Sequence, residues 1–145
     1  MTGTRVCLEL SLRYDHGLGD LAPYFEALGQ GRAMARRCTV CGHVWFPPHA
    51  VCPEDAQACE WLELDGTGTV VSATQTRSRL PFMETEQDYI FALVSMDGAD
   101  NAAFGRLAAN AGNAFPGLRV HLVAGDGETG HPAQTAVFER LEEET

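Results

Sequence analysis

The stretch "RRCTVCGHVWFPPHAVCPEDAQACEW", Arg36 to Trp61, decides the reading of this chain. It opens on a Cys-x2-Cys pair, Cys38 and Cys41, with Gly42 just behind it. Ten residues separate Cys41 from Cys52, and Cys52 is followed by Pro53. A tight turn between two cysteines points both sulfurs at one ion, and a zinc ribbon builds its tetrahedron from two such knuckles. The first knuckle is complete, because Gly42 supplies backbone freedom where the turn needs it. The second has the register of a knuckle but carries Asp55 where a fourth cysteine is expected, and the next thiol, Cys59, arrives four residues late.

Three groups compete to close the site. Asp55 ligates through oxygen at roughly 2.0–2.2 Å and needs no change in the knuckle. Cys59 is the softer ligand, but it requires the intervening residues to loop out. His49 falls inside the hairpin, after Pro47 and Pro48. Asp55 is preferred, Cys59 is the alternative, and His49 or water follows. A ribbon of buried thiols without metal competes with all three. A redox-active Cys-x2-Cys fits less well, since that motif precedes a helix in a βαβ unit. An iron site of the four-sulfur kind needs the missing cysteine, so the donor set favours zinc. With three thiolates the site offers no open position, so the zinc is expected to be structural.

Outward from the knuckles, the chain divides into three. On the N-terminal side, Arg5 to Tyr14 alternates imperfectly, as a strand or an extended arm. Asp20 is placed to cap a helix whose apolar face is Leu21, Tyr24, Phe25 and Leu28, with Gly29 and Gly31 ending it. Cys7 stands alone and reads as a core residue. On the C-terminal side, strands are predicted over Gly68–Arg77, Tyr89–Met96, Ala102–Ala108, Leu118–Ala124 and Gln134–Leu141, broken by Gly-rich turns. Five strands in so short a length suit a closed OB-fold barrel, with a small sandwich as the competitor. The predicted class is mainly β. The boundaries are 1–31 for the arm and helix, 32–64 for the ribbon and 65–145 for the barrel.

The chain has 145 residues, no lysine, and a formal net charge of −10. Nucleic-acid binders displace counterions with Lys and Arg, and the arginines here cluster only at Arg36-Arg37 and at Arg77 with Arg79. Nucleic acid is therefore not expected as a partner. No apolar run approaches the ~20 residues of a membrane span, and no apolar region of a signal peptide is seen, so a cytoplasmic setting without a membrane partner is expected. Lysine-free sequence excludes Schiff-base chemistry and a Walker A loop. The Gly66-Thr67-Gly68-Thr69 run reads as a turn entering a strand. His16, His43, His121 and His131 are isolated, and His43 stands close enough to Cys41 to orient the first knuckle. No catalytic constellation is legible.

One resemblance ties these parts together. Tyr24-Phe25-Glu26-Ala27-Leu28, Gly31-Arg32, Cys38-x2-Cys41-Gly42, Phe46-Pro47-Pro48 and Cys52-Pro53 occur in an order that resembles a family of small proteins. These have an N-terminal helix, a rubredoxin-like zinc ribbon and a C-terminal OB-fold, and they accompany thiolase-fold and acyl-CoA enzymes. Gly66-x-Gly68-x-Val70 and the strand Tyr89 to Val94 fit the first barrel strands of that family. The length and N-terminal extension look most like the small subunits of phloroglucinol-type acetyltransferases. The resemblance implies a non-catalytic bridging role beside thiolase-fold or ketosynthase-like subunits, with a cysteine nucleophile on the partner. Docking candidates are the helix and the loop Leu80-Pro81-Phe82-Met83. An acyl-CoA carrier using Arg77 and Arg79, and a nucleic-acid module, are the alternatives.

Overall fold

The computed structural model describes residues 3–79, 84–108, 112–125 and 136–142. After an arm without regular secondary structure come a 3-10 turn, Gly19–Leu21, and helix α1, Ala22–Gly29. Strands β1 (Ala33–Cys38), β2 (Val44–Trp45) and β3 (Cys59–Leu64) form an antiparallel sheet in the order β2-β1-β3. Strands β4 (Thr67–Ser78), β5 (Gln87–Met96), β6 (Ala102–Leu107), β7 (Arg119–Val123) and β8 (Val137–Arg140) close a barrel in the order β4-β5-β6-β8-β7. Antiparallel pairing of β4 with β7 completes the ring, and β6 runs parallel to β8. This is the OB-fold connectivity expected of five short strands separated by Gly-rich turns.

Alternation explains the barrel walls. Along β5 the residues Ala92, Val94 and Met96 point inward and are buried, while Leu93 and Ser95 face out. The pairing of β4 with β5 shifts register between Val70 and Ser72, so β4 carries a bulge there. A bulge bends and twists its strand, which a small barrel requires. On β6, the flat space at Gly105 is filled by the fully buried Phe138 of β8; a Cβ at Gly105 would lie 2.5 Å from its ring.

Helix, ribbon and barrel share one apolar cluster. Tyr24 and Leu28 of α1, Ala33 and Ala35 of β1, Phe46 after β2, and Val70, Val94, Val120 and Phe138 of the barrel all belong to it. The Tyr24 ring meets Phe25 and Phe46 edge-on at 5.0 and 5.8 Å. Burial pushes the Tyr24 phenol up to about 12. Two further devices fix the ribbon against the barrel. Edge strand β2 would leave backbone groups bare, but Val44 N–H donates to Asp100 Oδ2 at 2.8 Å and Phe46 N–H to Asn101 Oδ1 at 2.9 Å. Asp100 N–H returns a bond to the Val44 carbonyl at 2.9 Å. At the end of α1, Gly31 takes φ +73° and sits so close to β7 that a Cβ would lie 2.8 Å from the Ala124 nitrogen.

Three expectations need correction. The helix starts after Leu21, which stands at the cap without a side-chain bond, so Asp20 is not the cap. The preceding 3-10 turn absorbs Asp20, and the Ala22 amide donates to the Gly19 carbonyl instead. Cys7 is exposed, not a core residue. The helix buries Tyr24, Ala27 and Leu28 in its own molecule, so its apolar face is not a docking surface. The loop Leu80 to Met83, His131, and the start of the last predicted strand lie outside the described residues.

Candidate metal centre

The site grows out of the hairpin geometry. Strand β1 ends on Cys38, and the chain reverses through Thr39, Val40 and Cys41, with Gly42 N–H donating to the Cys38 carbonyl at 3.1 Å. Gly42 takes φ +77°, the left-handed conformation that glycine adopts without steric cost. The reversal aims the amides of Val40 and Cys41 at Cys38 Sγ, at 3.4 and 3.5 Å. The second knuckle repeats the design: Ala56 N–H donates to the Cys52 carbonyl at 2.9 Å, and Ala56 itself takes φ +57°.

The two knuckles bring Cys38, Cys41, Cys52 and Asp55 together, one donor atom of each lying within 4.8 Å of all the others. Cys41 Sγ is 3.7 Å from Cys52 Sγ, and Cys38 Sγ is 3.3 Å from Asp55 Oδ2. A tetrahedron with zinc–sulfur arms of about 2.3 Å has edges of about 3.8 Å, and a sulfur–oxygen edge is about 3.5 Å. The observed separations fit both. Three soft thiols and one carboxylate also match the chemistry of a borderline-soft, four-coordinate ion. The four residues are positioned to bind zinc in a closed, structural site.

Electrostatics agree. The Asp55 carboxyl is held below its usual range, first by the Gln57 amide, which donates to Oδ1 at 3.0 Å, and then by the three thiols. The Cys38 thiol is lowered, chiefly by the Cys41 amide. At Cys41 the His43 amide pulls the thiol down, but desolvation and the neighbouring Cys38 and Cys52 outweigh it and push the thiol up to about 12. Three thiols crowded together cannot all ionise without a cation among them.

The alternative ligands lie elsewhere. Cys59 sits in β3 directly across from Cys38, half-buried, outside the four-residue cluster. Its thiol is raised by desolvation first. His49 packs edge-on against Trp45 at 4.8 Å. The His43 imidazole stacks on Trp45 at 4.1 Å; its link to the knuckle is main-chain, with Cys38 N–H donating to the His43 carbonyl at 2.9 Å. Sequence reasoning missed the surface beside the site. Arg36 faces both Trp45 and Trp61 across the strands, and its guanidinium lies 4.1 Å from the Trp61 ring centroid. The alternation of β1 would have revealed it, since Arg36 shares a face with Met34 and Cys38.

The fold and the site together define a rubredoxin-like zinc ribbon packed on an OB-fold barrel behind a short helix. Residues 25–56 match the family model described as ChsH2, rubredoxin-like zinc ribbon domain, so the chain carries a ribbon of the ChsH2 kind. Among solved structures it is similar to a chain described as "Ltp2-ChsH2(DUF35) aldolase", at 26% identity over 88% of this chain and 98% of that one, with a TM-score of 0.62. A DUF35-family protein of unknown function from Sulfolobus solfataricus shares the fold at 16% identity, covering 81% of this chain and 82% of that one, with a TM-score of 0.60. No curated protein matches the sequence.

Proposed function

We propose that this chain is a non-catalytic bridging subunit of a thiolase-family complex, with one zinc held by Cys38, Cys41, Cys52 and Asp55. In this reading residues 1–31 form an arm and helix, 32–64 the ribbon and 65–145 the barrel. One observation carries the proposal: likeness to the Ltp2–ChsH2(DUF35) aldolase chain extends over 88% of this molecule, ribbon and barrel alike. A chain of this size is also too short to fold a thiolase-type cleft, so acyl-transfer chemistry belongs on a partner. The finer reading is C-acetylation of a phenolic acceptor of the phloroglucinol type. It rests on the order of the helix, Phe46-Pro47-Pro48 and knuckle motifs and on the N-terminal extension.

The zinc contributes no reaction step. It holds together a hairpin too small for its own core. A second reading is favoured by the similar chain itself, which is described as an aldolase. Both reactions make or break a carbon–carbon bond, and both leave the bridging role intact. The test is co-expression with thiolase-like proteins, purification of the complex, and assay of acetyl transfer to a phenolic acceptor beside cleavage of a β-hydroxyacyl thioester. Acetyl transfer by the complex and none by the isolated chain is expected. Turnover by the isolated chain, or normal assembly and activity of the partners without it, overturns the proposal.

A further inference from the structure

The N-terminal arm presents an apolar face to solvent. Val6, Leu8, Leu10, Leu12 and Tyr14 recur at every second position and are 76–89% exposed. Arg5, Cys7, Glu9, Ser11 and Arg13 take the intervening positions. Scattered exposed apolar residues need no explanation, but a period of two over nine residues does: it is the pattern of a strand with one buried face. Nothing in the molecule's own described sheets receives it. The barrel is closed and has no edge. The free edge of β2 is taken by Asp100 and Asn101, and β3 pairs with β1 and not with the arm.

We propose that the arm, residues 5–14, adds as a strand to an open sheet edge of the partner subunit, burying Val6, Leu8, Leu10, Leu12 and Tyr14 against it. The inference rests on the bridging reading above. In such an addition main-chain hydrogen bonds supply affinity, and alternate side chains supply specificity. Size is sufficient: five side chains at on the order of 100 Å² each, with their backbone, supply most of the ~800 Å² that one partner contributes to a standard interface.

Charge selects the occupant. Within residues 5–14 two arginines, Arg5 and Arg13, stand against one carboxylate, Glu9, so the arm carries about +1 and all of the net negative charge resides in the remainder of the chain. In a second copy, strand β3 pairs with β1 alone and offers an outer edge among the described strands. Docking there would bring two strongly acidic bodies together, which self-repulsion opposes. A weakly basic arm leading an acidic body instead fits a partner of a different sequence whose body is neutral or basic.

The experiment compares three full-length forms for capture of a co-expressed thiolase-like protein: wild type, Leu8→Asp with Leu10→Asp, and the opposite-face control Glu9→Gln with Ser11→Ala. Zinc content and circular dichroism establish that each is folded, which is expected because the arm lies outside the core. The apolar-face variant should bind at least about tenfold more weakly, and the control should bind as wild type does. Amides of residues 5–14 should exchange more slowly in the complex. Equal capture of all three forms overturns the arm proposal and leaves the bridging reading standing. Failure of wild type to capture any thiolase-like protein overturns both. A homodimer abolished by Leu8→Asp with Leu10→Asp makes a second copy the occupant and overturns the proposal.

Discussion

Asp55 occupies the register position of a cysteine, and its surroundings keep it a carboxylate. The Gln57 amide and the knuckle thiols all favour its ionised form. Asp55→Ala should therefore weaken zinc retention more than Cys59→Ala, measured as zinc lost to a chelator at fixed time. The reverse order would make Cys59 the fourth ligand. Asp55→Cys should hold zinc at least as tightly as wild type, because the knuckle already brings a donor at that position within 4.8 Å of the three thiols. The four residues that the fold brings together were legible in the sequence, since Cys-x2-Cys-x10-Cys-x2-Asp is a statement about two equal turns, although Cys59 and His49 stayed open beside Asp55 there. The exposure of Cys7 was not, because an isolated cysteine carries no periodic signal of its own. Nor was the position of Asp20, which the 3-10 turn Gly19–Leu21 takes up one residue before the helix cap.

At the scale of elements, the joint between ribbon and barrel is the feature that local pattern could not supply. Strand existence followed from alternation and turn residues, and the five predicted barrel strands agree with those observed to within a few residues, the described part of the last one included. The joint depends on residues far apart in sequence. Asp100 and Asn101 read as ordinary turn residues, yet they satisfy the amides of Val44 and Phe46 on the exposed edge of β2. Asp100→Ala should destabilise the protein by about 1–2 kcal/mol, because it strands a partly buried amide as well as removing a charge-assisted bond. Gly31→Ala should cost about 1–3 kcal/mol, from the left-handed backbone and the close approach of β7. Urea unfolding midpoints check both, and a midpoint unchanged in either variant would mean that the joint is slack there.

The whole molecule carries its charge unevenly, and one internal ion pair makes its stability depend on acidity. Arg119 of β7 donates to both oxygens of Asp97, at 2.9 and 2.5 Å, and Thr67 donates to Asp97 Oδ2 at 2.8 Å. The Arg119 guanidinium and then the Thr67 hydroxyl hold the Asp97 carboxyl down at about 2, against an ordinary value of 3.8. A carboxyl depressed in the folded state contributes its full stabilisation above the ordinary value. That contribution is lost as the pH falls from about 4 to about 2. Both side chains are 42% exposed, so solvent screening limits the effect to about 1 kcal/mol or less. The pair ties β7, which completes the ring by pairing with β4, to the turn after β5 that leads to the Asp100–Asn101 clasp on the ribbon. Asp97→Asn should therefore lower the urea midpoint at pH 7 and leave it nearly unchanged near pH 2, relative to wild type. An equal loss at both values would assign the effect to packing rather than to the charge. Because the zinc site also loses its protonatable donors in acid, the comparison belongs on chelator-treated protein as well as on zinc-loaded protein. The difference between wild type and Asp97→Asn should survive zinc removal if barrel closure is independent of the knuckles, and should shrink if the ribbon must be ordered before the clasp can form.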